Sequence, residues 1–93
     1  MSQNAQGWYS IAAFRGAACV YWRTTTQRRG VWSAVQRSLA DYRADLVMVT
    51  REDPGLDGSS YQVAQVTSAG FWKFTARSLH PQLAEYIEKE QAK

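Results

Sequence analysis

The sequence holds one cysteine, one histidine and two prolines among 93 residues, and each scarcity closes a class of function. With Cys19 alone, no intramolecular disulfide can form, so the usual staple of small secreted domains is excluded and a cytoplasmic setting is expected. Closed zinc sites draw four ligands mainly from cysteine and histidine, which Cys19 and His80 cannot supply. No metal and no cofactor is expected. Nucleophilic hydrolases and transferases need a base, most often histidine, beside the nucleophile. His80 precedes Pro81 at a helix start, where capping accounts for it, and Cys19 reads as a small buried hydrophobe beside Val20 and Tyr21. No catalytic residue is assigned, and the protein is read as non-enzymatic.

Long apolar runs are missing too. The longest spans only Ala17 to Trp22, and the segment from Met1 to Gly7 is polar, without the basic and apolar regions of a signal peptide. Lipidation motifs are absent from the ends. The expectation is a soluble chain with no membrane partner.

The six glycines fit neither a dinucleotide fingerprint nor a phosphate-binding loop with its lysine. Asp53-Pro54-Gly55-Leu56-Asp57-Gly58 begins like a calcium loop, but Gly55 stands at its third position and Ala64 where the bidentate glutamate belongs. Asp41, Asp45, Glu52, Asp53 and Asp57 are read as solvated charge.

What the chain does have is aromatics and arginine. Four Trp and five Tyr lie within a composition that is 45% hydrophobic, enough apolar surface for a globular core. The net charge of +3 is unevenly spread. Residues 1–51 carry Arg15, Arg23, Arg28, Arg29, Arg37, Arg43 and Arg51 against Asp41 and Asp45, whereas residues 52–93 are net acidic. The first half is therefore the half suited to an anionic partner.

Trp8 to Arg15 and Ala17 to Thr24 are rich in aromatic and β-branched residues and meet at Arg15-Gly16, which predicts a hairpin. Thr24 to Gly30 has no apolar residue and ends in glycine, so it reads as a connection. From Val31 to Arg43, Trp32, Val35, Leu39 and Tyr42 recur at helical spacing, which predicts a helix ending near Ala44. Leu46 to Thr50 is a short apolar run, hence a buried strand, and Glu52 to Ser60 is a loop. Tyr61 to Thr67 and Phe71 to Arg77 flank Ser68-Ala69-Gly70 as a second hairpin. Pro81 opens a helix with a stripe of Leu83, Tyr86 and Ile87. The expected fold is a single α+β domain over residues 1–93, with flexible ends at 1–7 and 89–93. It is a two-layer sandwich with a mostly antiparallel five-stranded sheet, two helices on one face, in the order ββαβββα.

Arg15 to Trp22 partly resembles the first ribonucleoprotein motif of RNA-recognition domains, through Arg15, Gly16, Ala18 and Val20. Ala17 and Cys19 stand where that motif needs base-stacking rings, which removes the match. Helix, three strands and helix from Val31 onward is also the order of a double-stranded-RNA-binding domain. Its second helix would open Pro81-Gln82-Leu83-Ala84-Glu85, without phosphate-gripping lysines.

Alternation sends Trp72 and Phe74 to one face and Phe71 to the other, and splits Trp8 from Tyr9 and Tyr21 from Trp22. Two short helices cannot cover both faces of such a sheet, so some rings are left for a partner. The expected binding residues are Arg15, Arg23, Arg28, Arg29 and Arg37 with Trp22, Trp72 and Phe71. Together they suit a regulator or inhibitor that docks a protein through an aromatic sheet face and a basic loop. Accessory proteins of phages and mobile elements share this size, and a homodimer is a variant of the same idea. The alternative is a nucleic-acid binder, with arginines on phosphates and rings stacked on bases.

Overall fold

Alternating and helical periodicities in the sequence become two stacked layers. A computed structural model describes residues 7–53 and 59–93. Its elements are β1 (Trp8–Arg15), β2 (Ala18–Thr25), α1 (Arg28–Ala40), β3 (Leu46–Asp53), β4 (Ser59–Thr67), β5 (Trp72–Phe74) and α2 (Pro81–Gln91), with a 3-10 turn at Arg77–Leu79. All strand pairs are antiparallel and the sheet order is β2-β1-β3-β4-β5, so β1 lies between the two strands that α1 connects. Both helices pack on one face, giving the expected α+β sandwich.

In β1 Tyr9, Ile11 and Ala13 are buried toward the helices, whereas Trp8, Ala12 and Phe14 on the other face are only partly covered; Ser10, also on that face, is buried and interrupts the alternation. Val47 and Val49 of β3 lie opposite Ala13 and Ile11 and join Val63, Ala64 and Val66 of β4 in the core. From above, α1 contributes Val31, Ala34 and Val35, and α2 contributes Leu83 and Ile87. Full burial of each larger aliphatic side chain contributes about 1.5–3 kcal/mol, so this cluster holds the two layers together. Buried Ser38 satisfies its hydroxyl by donating to the Ala34 carbonyl at 2.7 Å.

Several boundaries differ from the sequence reading. Helix α1 starts three residues before Val31, within the stretch read as a connection, and ends at Ala40. The chain then reverses through Arg43, which takes a left-handed φ of 52°, and the Ala44 amide returns to the Ser38 carbonyl at 3.0 Å. Strand β3 runs on to Asp53 because Glu52 pairs with both Trp8 and Ser60. Most of the expected Phe71–Arg77 strand gives way to a three-residue β5 and the 3-10 turn. Helix α2 extends to Gln91, into the segment expected to be flexible.

The β1–β2 turn depends on Gly16, whose φ of 60° disfavours a side chain. Its amide donates to Asp45 Oδ2 at 2.8 Å, and the Asp45 amide donates to the Phe14 carbonyl at 2.8 Å. Asp45, read from sequence as solvated charge, thus fastens the hairpin turn to the start of β3.

Candidate functional site: a cleft between two helix starts

The helix-facing side of the sheet is apolar along most of its length and becomes polar at one end. There the strand register sets Thr25, Tyr9, Arg51 and Tyr61 side by side across β2, β1, β3 and β4. One row inward, Ile11 and Val49 are already core. Both helices begin above the polar row. Gly30 allows this approach, because a Cβ there would collide with Thr25, at 2.9 Å from its Cβ and nearer still to its Oγ1. Arg28 Nη1 donates to Gln82 Oε1 at 3.1 Å and ties the first turn of α1 to that of α2.

Between these parts lies a cleft of about 730 Å³, lined by Tyr9 and Arg51 from the sheet, Gln27, Arg28 and Arg29 from the start of α1, and Leu79, Pro81, Gln82 and Tyr86 from the α2 side. His80 occupies the N-cap position of α2 but does not cap it. Its ring reaches to the sheet instead, with Nδ1 3.1 Å from the Tyr9 hydroxyl and Nε2 2.7 Å from the Tyr61 hydroxyl. Behind them the Tyr61 hydroxyl lies 3.4 Å from Asp53 Oδ2, and Arg51 Nε donates to Asp53 Oδ1 at 2.9 Å. One arrangement satisfies every group. Tyr9 donates to Nδ1, Nε2–H donates to Tyr61, and Tyr61 donates to the Asp53 carboxylate.

The electrostatics agree with that chain. Burial, with the Arg51 charge adding to it, lowers the His80 pKa and favours the neutral ring that the arrangement requires. Burial raises the Tyr9 pKa, and burial together with the Asp53 charge raises that of Tyr61, so both phenols stay protonated. Arg51 also lies over the Tyr9 ring at 4.8 Å. With both ring nitrogens engaged, His80 acts as a brace between α2 and the sheet.

The cleft is cationic. Arg28, Arg29 and Arg51 line it, and none of the described lining residues is a carboxylate. Arg29 Nε donates to the Gln27 amide oxygen at 3.2 Å, so among the described residues Arg28 and Arg29 bond to neutral partners and pair with no carboxylate. Both helix starts lack a side-chain cap and an acid in the first turn, leaving their amide N–H groups directed outward.

On the opposite side of the sheet, to which neither described helix packs, most outward residues are partly exposed, Ser10 being the buried one. Trp22 is 62% exposed there and pairs in register with Ala12, which pairs in turn with Met48; Phe14 and Leu46 form the adjoining pair. The outward positions of β1, β2 and β3 otherwise include Trp8, Ser10, Thr24, Thr50 and Glu52, with no arginine or lysine among them.

The residues expected from sequence to bind are therefore distributed over several surfaces. Arg28 and Arg29 share the cleft. Arg23 pairs with Ile11 and belongs to the helix side, Arg15 donates to the Tyr42 carbonyl, and Arg37 pairs on the surface with Asp41 at 3.4 Å. Trp22 lies on the open face and Phe71, 73% exposed, projects at the β4–β5 turn. Trp72 packs on the covered side between Trp32 and Phe74, at ring distances of 6.3 and 5.8 Å. Sequence reasoning missed Tyr9, Arg51, Tyr61 and Asp53. The available signal was a polar or hydroxyl-bearing residue at each strand's helix-facing parity. The Asp53–Gly58 segment lies outside the described residues from Pro54 onward.

The described part is thus a small α+β sandwich with one basic cleft and one open face that is aromatic and carries no arginine or lysine on β1, β2 and β3. Family models, curated protein sequences and solved structures give no match to the chain. None of the described helices is long and apolar enough to cross a membrane.

Proposed function

We propose that the chain is a non-enzymatic interaction protein of the cytoplasm, a regulator or inhibitor that docks on a partner protein through the open face of its sheet. The observation that carries this reading is Trp22, 62% exposed on the edge strand β2, where it borders an apolar surface formed with Ala12, Phe14, Leu46 and Met48. Exposed tryptophan beside aliphatic side chains has the composition of an interface hot spot. The charge pattern selects the kind of partner. A nucleic-acid platform interleaves rings with cations, whereas the open parts of β1, β2 and β3 carry none. An uncharged protein surface is the complementary occupant.

The test is affinity capture with nuclease treatment, comparing the parent with Trp22→Ser. Because Trp22 is exposed, its substitution is expected to change stability by no more than about 0.5 kcal/mol. A captured protein lost with Trp22→Ser and retained by Arg28→Ala supports the reading; capture unaffected by Trp22→Ser overturns it. A concentration-dependent dimer in light scattering, abolished by Trp22→Ser, assigns the face to a second copy instead. Nucleic-acid binding is the second reading, favoured by the arginines of the cleft, and it requires affinity for single-stranded oligonucleotides that falls steeply with salt.

A further inference from the structure

We propose that the cleft between the starts of α1 and α2 binds a phosphomonoester carried on a small planar body, of the class of a nucleoside monophosphate. This inference uses the face of the sheet opposite the docking surface and does not depend on it.

The cavity comes first. Its volume of about 730 Å³ falls within the range of small-molecule sites. Its lining combines two chemistries. Arg28, Arg29 and Arg51 reach it from two elements, with no carboxylate among the described lining residues. None of the ion pairs among the described residues includes Arg28 or Arg29. Arg51 is paired with Asp53 at 2.9 Å, so it offers its remaining N–H donors while Arg28 and Arg29 supply the net charge. Leu79, 66% exposed, Pro81 and Tyr86 add apolar, uncharged lining to the same cavity.

The donor set selects phosphate over carboxylate. Three guanidinium groups and the uncapped amides of two helix starts offer more donors than two carboxylate oxygens accept, and a phosphomonoester presents three oxygens and a second negative charge. The apolar lining selects a ligand with a body, since a free phosphate ion leaves Leu79 and Tyr86 uncovered. His80 holds both nitrogens on tyrosines, so its ring lines the cleft with neither nitrogen free for the ligand.

The experiment is titration of 15N-labelled protein with a nucleoside monophosphate, in parallel with the nucleoside, inorganic phosphate and a single-stranded oligonucleotide. Saturable shifts of the amides at both Arg28–Gly30 and Gln82–Leu83 are expected, with the nucleoside at least about tenfold weaker because it lacks the charge-assisted bonds. Arg28→Ala with Arg29→Ala is expected to weaken binding by about tenfold or more. Gln82→Glu is a second variant, near-isosteric and compatible with the α2 start, which places a carboxylate beside Arg28; it should weaken the phosphate-bearing ligand alone. The proposal is overturned by absence of saturation at millimolar ligand, by a nucleoside that binds equally well, or by Gln82→Glu binding like the parent. Binding confined to the oligonucleotide also overturns it, and assigns the arginines to a nucleic-acid surface.

Discussion

His80 gives the fold a pH response that one substitution isolates. Its folded-state pKa lies below the ordinary 6.5 because burial and the Arg51 charge disfavour the imidazolium. The unfolded chain therefore takes up a proton at a higher pH than the folded chain does. The His80 contribution to stability is complete above the unfolded pKa of about 6.5 and is lost as the pH falls through that value toward the lower folded pKa. His80 is the sole histidine, and carboxylates titrate mainly below about pH 5, so this window belongs chiefly to one group. A single proton sets a ceiling of about 1.4 kcal/mol per pH unit on the slope. Partial exposure of the ring keeps the actual slope beneath that ceiling.

The structural cause is specific as well. Protonation adds an N–H at Nδ1, the nitrogen that accepts from Tyr9 in the arrangement satisfying every group, so Tyr9 must turn its hydroxyl hydrogen away. Urea unfolding followed by tryptophan fluorescence at several pH values measures the slope directly. His80→Gln removes the titration while keeping hydrogen-bonding capacity, and its profile should be flat across the window. A parent protein whose stability is level or rises as the pH falls from about 7 to 5 would refute the reasoning. So would an unchanged slope in His80→Gln.

Two further outcomes test the packing beneath the site. Gly30→Ala should gain about 1 kcal/mol of helix propensity yet destabilise overall, because the added methyl is forced onto Thr25 and overpacking costs about 1–3 kcal/mol; denaturant midpoints decide, and a stabilised variant would show that α1 does not need its close approach to β2. Leu83→Ala, 1% exposed in the parent, should cost about 2–5 kcal/mol, whereas the partly exposed Leu39 should cost less on the same change. Equal losses in the two unfolding curves would contradict the placement of α2 over the core.

The fold was legible because periodicity alone settles which side of each element is buried. Tyr9 and Trp8, Tyr21 and Trp22, and Trp72 and Lys73 separate to opposite faces as period-two alternation requires. The start of α1 was not legible. Its first turn, Arg28-Arg29-Gly30, is polar and glycine-ended, the pattern of a loop. It is polar because it faces a cleft instead of the core, and it contains glycine because Thr25 leaves no room for a side chain. The same local features that look like a broken helix are what a helix start above a strand needs here.

The cleft was illegible for a different reason. Tyr9, Arg51, Tyr61 and His80 are separated by up to 71 positions in the chain and share no motif; only strand register puts the first three in one row. A pairing slip of one residue would turn Arg51 to the open face and break the His80 brace, so the site is specified by the hydrophobic alternation of β1, β3 and β4. Val47 and Val49 fix that register through the core, and Arg51 follows two positions on. Register also explains why rings and cations did not form the single surface expected from composition. Trp22 and Arg23 are adjacent in sequence and therefore point to opposite sides of the sheet. Sequence proximity of an aromatic and an arginine in a strand separates them in space, and the chain consequently presents two surfaces of different chemistry: an aromatic one without arginine or lysine on β1, β2 and β3, proposed for a protein, and a cationic one, proposed for phosphate.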